Sequence, residues 1–281
     1  MTGGPARCRL LATACLLVLL GGCAGTSDAD DRRIPPPPVP TATGVPGASG
    51  VVVWFVGDTP AGERLFRERR ALTDREPADP VGLAVTTMLD GRAQDPDYRS
   101  DWPAGVALRS PVTRADGMLT VDLAVAGPLR GPAGLALQQL VHTVQDAAGS
   151  DDPVRVLVGG EPAATLLGEP VSAPLTRADP YSVRSLVQVD DPAEGAPVRS
   201  PLVVTGEAAV FEATVLWELR DRSGRVVVAG AGTTAEGQRF APYRFEVRAA
   251  PGEYDLVVSE DDPSGGAGRG PMVDTKRVTV R

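Results

Sequence analysis

Histidine and lysine each occur once in this chain, at His142 and Lys276, and cysteine occurs three times, at Cys8, Cys15 and Cys23. With one imidazole there is no second histidine to share a metal, and any Ser-His-Asp or Cys-His mechanism has to pass through His142. No G-x-S-x-G turn is present to carry a nucleophile. Aromatic residues make up only 4% of the chain, so its cores have to be assembled mainly from Val, Leu and Ala. Positive charge is the minority sign: 28 basic residues against 36 acidic ones give a net charge of −8. Such a balance leaves no electrostatic footprint for nucleic acid or for an anionic lipid surface. The apolar run from Leu10 to Leu20 has about 11 residues, short of the roughly 20 that span a bilayer as a helix.

What is present begins with that run. Arg7 and Arg9 precede it and Gly21-Gly22 follow it, the layout of a secretory signal over residues 1–22. Leu20-Gly21-Gly22-Cys23 resembles the bacterial lipobox, and that resemblance implies a diacylated thiol on Cys23 with cleavage before it. Cys8 and Cys15 lie inside the signal, so the mature chain has no cysteine pair for a disulfide. Residues 23–50 then read as the lipidated cysteine and a polar linker with a proline run from Pro35 to Pro38. In polyproline geometry such a linker reaches up to about 80 Å from the lipid.

Gly 32 and Pro 27 favour β-structure broken by many turns. Val51 to Val56 is a continuous apolar run and reads as a strand buried on both faces. Glu63 to Leu72 is a charged edge strand. Asp79-Pro80 caps a first helix with Val81, Ala84, Val85 and Met88 on one face. Val106 to Thr113 and Leu119 to Leu123 form a hairpin turning at Asp116-Gly117. A second helix starts near Pro132, carrying Leu137, Leu140, Val141 and Val144 on one stripe and Leu135, Gln139 and His142 on the other. Val154 to Val158 is a last strand. The order β, β, α, β, β, α, β is that of an α+β domain over residues 51–168. A linker over 169–182 follows, and then a β-sandwich over 183–281 with seven short strands. In its longest strand Phe211, Ala213, Val215, Trp217 and Leu219 face one way, and Glu212, Thr214 and Glu218 the other.

The opening strand, the TRADGMLTVDLAVA hairpin, the LQQLVHTV helix and the VRVLVGG strand resemble the GerMN domain of bacterial spore germination proteins. The stretches VQVDDPAEGAPVRSPLVVTGEA, VFEATVLWELRD and GEYDLVVSEDDPSGG are similar to the immunoglobulin-like domain that accompanies it. The resemblance implies an α+β GerMN-like domain followed by an all-β immunoglobulin-like sandwich on the outer side of a bacterial membrane. It brings no catalytic residues, and His142 departs from it where an aromatic residue such as Tyr is expected.

No enzyme, cofactor or metal is expected from the residues. Paired carboxylates are the remaining route to catalysis, but Glu212 and Glu218 stand about 20 Å apart along a strand. The run Glu260-Asp261-Asp262 lacks the spacing of a calcium loop, and calcium near Asp261 is left open. The reading favoured here is a membrane-anchored extracytoplasmic lipoprotein, held through Cys23, that binds or scaffolds a cell-wall component or an envelope protein. Leu135, Gln139, His142, Glu212 and Glu218 are its candidate partner surface. The alternative is a carboxylate-dependent cell-wall hydrolase.

Overall fold

The computed structural model describes residues 50–71, 79–126, 133–262 and 267–281. The signal, Cys23 and the proline-rich linker up to residue 49 lie outside the described residues, as does the Pro132 start of the second helix.

The first half opens with β1 (Gly50–Thr59) and β2 (Gly62–Ala71), a hairpin whose β1 also pairs at its far end with β3 (Tyr98–Arg99), so β1 is central. Between β2 and β3 runs α1 (Pro80–Leu89), started by the Asp79 carboxylate accepting the Gly82 N–H at 2.7 Å. The single long strand read over Val106 to Thr113 is instead β4 (Val106–Leu108) and β5 (Thr113–Ala115), both paired with β6 (Met118–Val125). Pro111, which cannot donate to a ladder, falls in the gap between them. Asp116 and Gly117 both have positive φ, 51° and 68°, as the tight turn between β5 and β6 requires. Helix α2 (Ala136–Ala148) crosses over to β7 (Val154–Val158), which lies parallel to β6. Short strands β8 (Glu161–Pro162), β9 (Thr165–Leu166) and β10 (Glu169–Pro170) follow. The segment read as a linker packs back on this half, burying Val171 and pairing Leu175 with Val154 before α3 (Pro180–Val183).

Among its described residues the second half is an all-β sandwich with eight strands rather than seven. Its smaller sheet has the order β11 (Val187–Asp191), β13 (Leu202–Ala208), β16 (Ala241–Val247). The larger has the order β12 (Ala196–Val198), β18 (Val273–Val280), β17 (Gly252–Glu260), β14 (Thr214–Asp221), β15 (Val226–Thr233). The extra strand, β12, pairs parallel with β18. Val187, Val204, Val215, Leu219, Leu256, Val258 and Val278 fill the space between the sheets. Trp217 packs at the rim of this core, its ring stacked on Phe245 at 5.4 Å. Phe211 does not continue the strand. It stands in a 3-10 turn, Phe211–Ala213, and is exposed.

A third cluster forms where the segment joining the halves packs back on the first of them. Residues of β1 alternate between cores: Val53 and Phe55 enter the first, while Trp54 and Val56 join Leu65 of β2 and Val183 of α3. This explains the unbroken apolar run in β1, since neither face meets water. The described residues all belong to one compact unit, Pro46–Arg281.

Candidate functional site

Helix α2 is where the sequence reading most needs correcting. Gln139 and His142, expected on an outer stripe, are 0% and 2% exposed. The reason lies in β1. Its pairing with β3 covers only Val56 and Gly57, so the backbone at Trp54 has no strand partner on that side. The polar stripe of α2 supplies one: Thr143 Oγ1 accepts the Trp54 N–H at 3.1 Å, and Gln139 Nε2 donates to the Trp54 carbonyl at 2.9 Å. Asp146, one turn further, accepts the Trp54 indole N–H at 2.7 Å. Positions 139, 143 and 146 share a helical face, and their polarity serves a buried strand edge rather than solvent. Leu135 is half-buried against the same cluster.

His142 lies against the Trp54 ring at 4.8 Å, and neither of its ring nitrogens has a protein hydrogen-bond partner. Burial, with the cations of Arg177 and Arg184 nearby and only Asp146 opposing them, lowers its pKa to about 3. The unfolded side chain titrates near pH 6.5. Above that pH both states are neutral and the full stability is present. As pH falls from about 6.5 towards about 3, the unfolded chain takes a proton that the folded one refuses, and stability drops with a slope approaching about 1.4 kcal/mol per pH unit. His142→Phe is expected to flatten that window. Urea midpoints of the wild type and the variant from about pH 7 to about pH 4 check it, and parallel curves would show that other groups set the acid sensitivity.

The residues that join the halves are charged. Arg67 of β2 donates from Nε and Nη2 to the two carboxylate oxygens of Asp190 at 2.7 and 2.8 Å, and from Nη1 to Glu207 at 2.9 Å. Arg184 also pairs with Glu207 and lies over the Phe240 ring at 3.9 Å. The Ser185 N–H donates to the Leu65 carbonyl at 3.0 Å, extending the contact along the β2 edge. Further along, Lys276 Nζ donates to Asp95 at 2.7 Å and to Asp274 at 2.6 Å, and Tyr98 Oη donates to Asp274 at 2.6 Å. Burial alone would lower the Lys276 ammonium, but the two carboxylates outweigh it and raise its pKa. Burial raises Asp274, partly offset by Lys276. None of these residues was singled out from the sequence except Lys276, whose rarity was the one available signal.

At one end of the sandwich two loops meet. Gln238 donates its N–H to the Val210 carbonyl at 2.8 Å, and its own carbonyl accepts the Tyr181 hydroxyl at 2.7 Å. Tyr181 packs on Phe240 at 5.5 Å. Tyr181 and Phe211 are each 44% exposed and are the only exposed aromatic residues among the described residues. Glu212, Ala213 and Gln238 hold positive φ of 49°, 58° and 57°, a cost that non-glycine residues accept where the surroundings fix them. Glu212 is exposed in this turn, whereas Glu218 lies mid-strand on β14, half-buried and paired with Arg220 at 2.6 Å. The expected partner surface is therefore not one surface: Gln139 and His142 are interior, and Glu212 and Glu218 belong to different elements. Among the described residues no group of three or more His, Cys, Asp or Glu is placed to hold a metal. Glu260 is engaged with Arg269 and with the Met272 N–H at 2.7 Å. No described helix is long and apolar enough to cross a membrane.

Residues 52–164 match the family model described as sporulation and spore germination. Residues 186–267 match that of the immunoglobulin-like domain of bacterial spore germination. Among solved structures the chain is similar to the tandem GerMN domains of the sporulation protein GerM from Bacillus subtilis, at 18% identity and a TM-score of 0.36 over 46% of this chain and 44% of that one. It is also similar to an engineered protein, at 14% identity and a TM-score of 0.26 over 54% of this chain and 40% of that one. It thus spans less than half the length of either. No curated protein matches it.

Proposed function

For a chain that carries a GerMN domain followed by the immunoglobulin-like domain of bacterial spore germination proteins, we propose the role of a non-catalytic binding or scaffolding module of the cell envelope. It is anchored by lipid on Cys23 at the outer side of the membrane. Its partner is an envelope protein or a component of the wall. The observation that supports this most is the loop end of the sandwich. In a chain with so few aromatic residues, the two that face solvent are both held at this end: Phe211 in a turn whose backbone takes costly conformations, and Tyr181 on α3 with its hydroxyl bound to the Gln238 carbonyl. Aromatic side chains presented by a rigid frame are the usual anchors of an interface.

Three experiments test the reading. Metabolic labelling with a fatty-acid probe is expected to mark the wild type and to be lost in Cys23→Ala, and equal labelling refutes the anchor. Crosslinking on intact cells is expected to fall about tenfold or more when Tyr181 and Phe211 are both changed to Ser. Unchanged crosslinking removes this surface from the proposal. Steady release of soluble fragments from wall polymer by the purified chain would sink the non-catalytic reading.

A further inference from the structure

We propose that Lys276 and Asp95 become joined by an amide bond, Nζ to the side-chain carboxyl carbon, formed by the folded chain itself and closing a covalent link between the two halves. The chain has 28 basic residues and places its single lysine here, where a flat guanidinium would satisfy carboxylates at least as well. An amine can lose its proton and attack a carboxyl carbon, which a guanidinium does not do.

The surroundings hold the two groups as reactants. Lys276 Nζ lies 2.7 Å from Asp95 Oδ2, 2.6 Å from Asp274 Oδ1 and 2.7 Å from Tyr98 Oη. The lysine side chain is 4% exposed, and the two carboxylates are still more enclosed. The far oxygen of each carboxylate is pinned by a backbone N–H, Asp95 Oδ1 by Asp97 at 2.9 Å and Asp274 Oδ2 by Val189 at 2.7 Å. Each near oxygen is thereby fixed on the amine. Holding reacting groups in one geometry replaces a bimolecular encounter, and burial works against the ammonium that the two carboxylates otherwise favour.

The atoms balance without another reactant. Lys276 passes one ammonium proton to Asp95, and the freed lone pair attacks the Asp95 carboxyl carbon to give a tetrahedral centre. Asp274 relays a second proton from that nitrogen to the departing Asp95 oxygen. The C–O bond breaks, the oxygen leaves as water, and Asp274 ends as it began. A narrow cleft lined by Glu68, Gln94, Glu194 and Lys276 gives the water a way out.

The single lysine makes the test direct. A lysine-specific endoprotease can cut the denatured full-length chain at one place only, after Lys276. The amide-bonded chain is expected to resist it. Digestion after arginine is then expected to yield a branched peptide that joins the segment bearing Asp95 to the one bearing Lys276, lighter by one water than the two together. Complete release of Arg277 to Arg281 from the wild type, with an unbranched Lys276 peptide, overturns the proposal. Lys276→Arg is expected to lack the branch. A water loss that persists in that variant would point instead to ring closure at Asp90-Gly91 or Asp116-Gly117, and without a branch in the wild type it overturns the bond. Asp95→Asn is expected to give the same branch with loss of ammonia in place of water.

Discussion

Gly206→Ala is expected to remove the cooperative melting of the sandwich. Gly206 sits in the middle strand, β13, with Val189 of β11 on one side and Tyr243 of β16 on the other. The Tyr243 hydroxyl crosses over it to donate to the Gln188 carbonyl at 2.9 Å. A Cβ at this position would lie 2.0 Å from that carbonyl oxygen and 2.4 Å from the hydroxyl. Neither atom has freedom to retreat, since one is backbone in a paired strand and the other is a buried ring tip. Forced overpacking usually costs about 1 to 3 kcal/mol, and a clash with paired backbone belongs at or above the top of that range. A module of roughly 100 residues has about 5 to 15 kcal/mol in total. Denaturant melts of the full chain are expected to show the cooperative transition lost or its midpoint displaced by at least about 3 kcal/mol, with Tyr243→Phe restoring part of it in the double variant. A midpoint within about 0.5 kcal/mol of the wild type would mean that the strands open more easily than the ladder implies.

Arg67→Ala is expected to be nearly as damaging, through charge rather than volume. Its guanidinium is the cation between Asp190 and Glu207, and burial has not cost it its proton, since the two carboxylates raise its pKa. Removing one member of a buried ion pair typically costs about 3 to 5 kcal/mol, and here Glu207 keeps Arg184 while Asp190 is left with only the more distant Arg69 at 3.6 Å. Arg67→Lys is expected to recover less than half of the loss, because an ammonium cannot bind Asp190 through two parallel donors. Adding Asp190→Asn to Arg67→Ala removes one stranded charge and is expected to return about 1 kcal/mol or more, a coupling that a double-mutant cycle reads directly. Strict additivity of the two changes would show that they do not share an interaction.

Neither of these sites was announced by the sequence, whereas other elements were. β1 was legible because both of its faces are covered and its run Val51 to Val56 is unbroken. α1 was legible because Asp79-Pro80 is a local start signal whose chemistry acts within one turn. The polar stripe of α2 was misread for a physical reason: polarity on a helix usually means water, and here Gln139 and Thr143 complete the hydrogen bonding of a strand that lies 85 or more residues away in sequence. Phe211 was misread because the apolar-polar alternation runs on past Thr214 into a 3-10 turn, whose backbone sends the ring outward. The junction was not legible at all. Lys276 meets Asp95 across 181 residues, and no local pattern encodes a partner at that separation.

The ion pairs between the halves also bear on how such chains can be recombined. Arg67, Asp95 and Tyr98 stand in the first half, while Arg184, Asp190, Glu207, Asp274 and Lys276 stand in the second. A chimaera that kept the first half and took its sandwich from another chain would inherit Arg67 without Asp190 and Asp95 without Lys276. Each half would then bring buried charges that its new neighbour does not answer, and the graft would fail at the seam although both donors fold. The unit that can be passed between proteins intact is the pair, from β1 through β18, so insertions and fusions are tolerated at its outer ends and excluded at its middle.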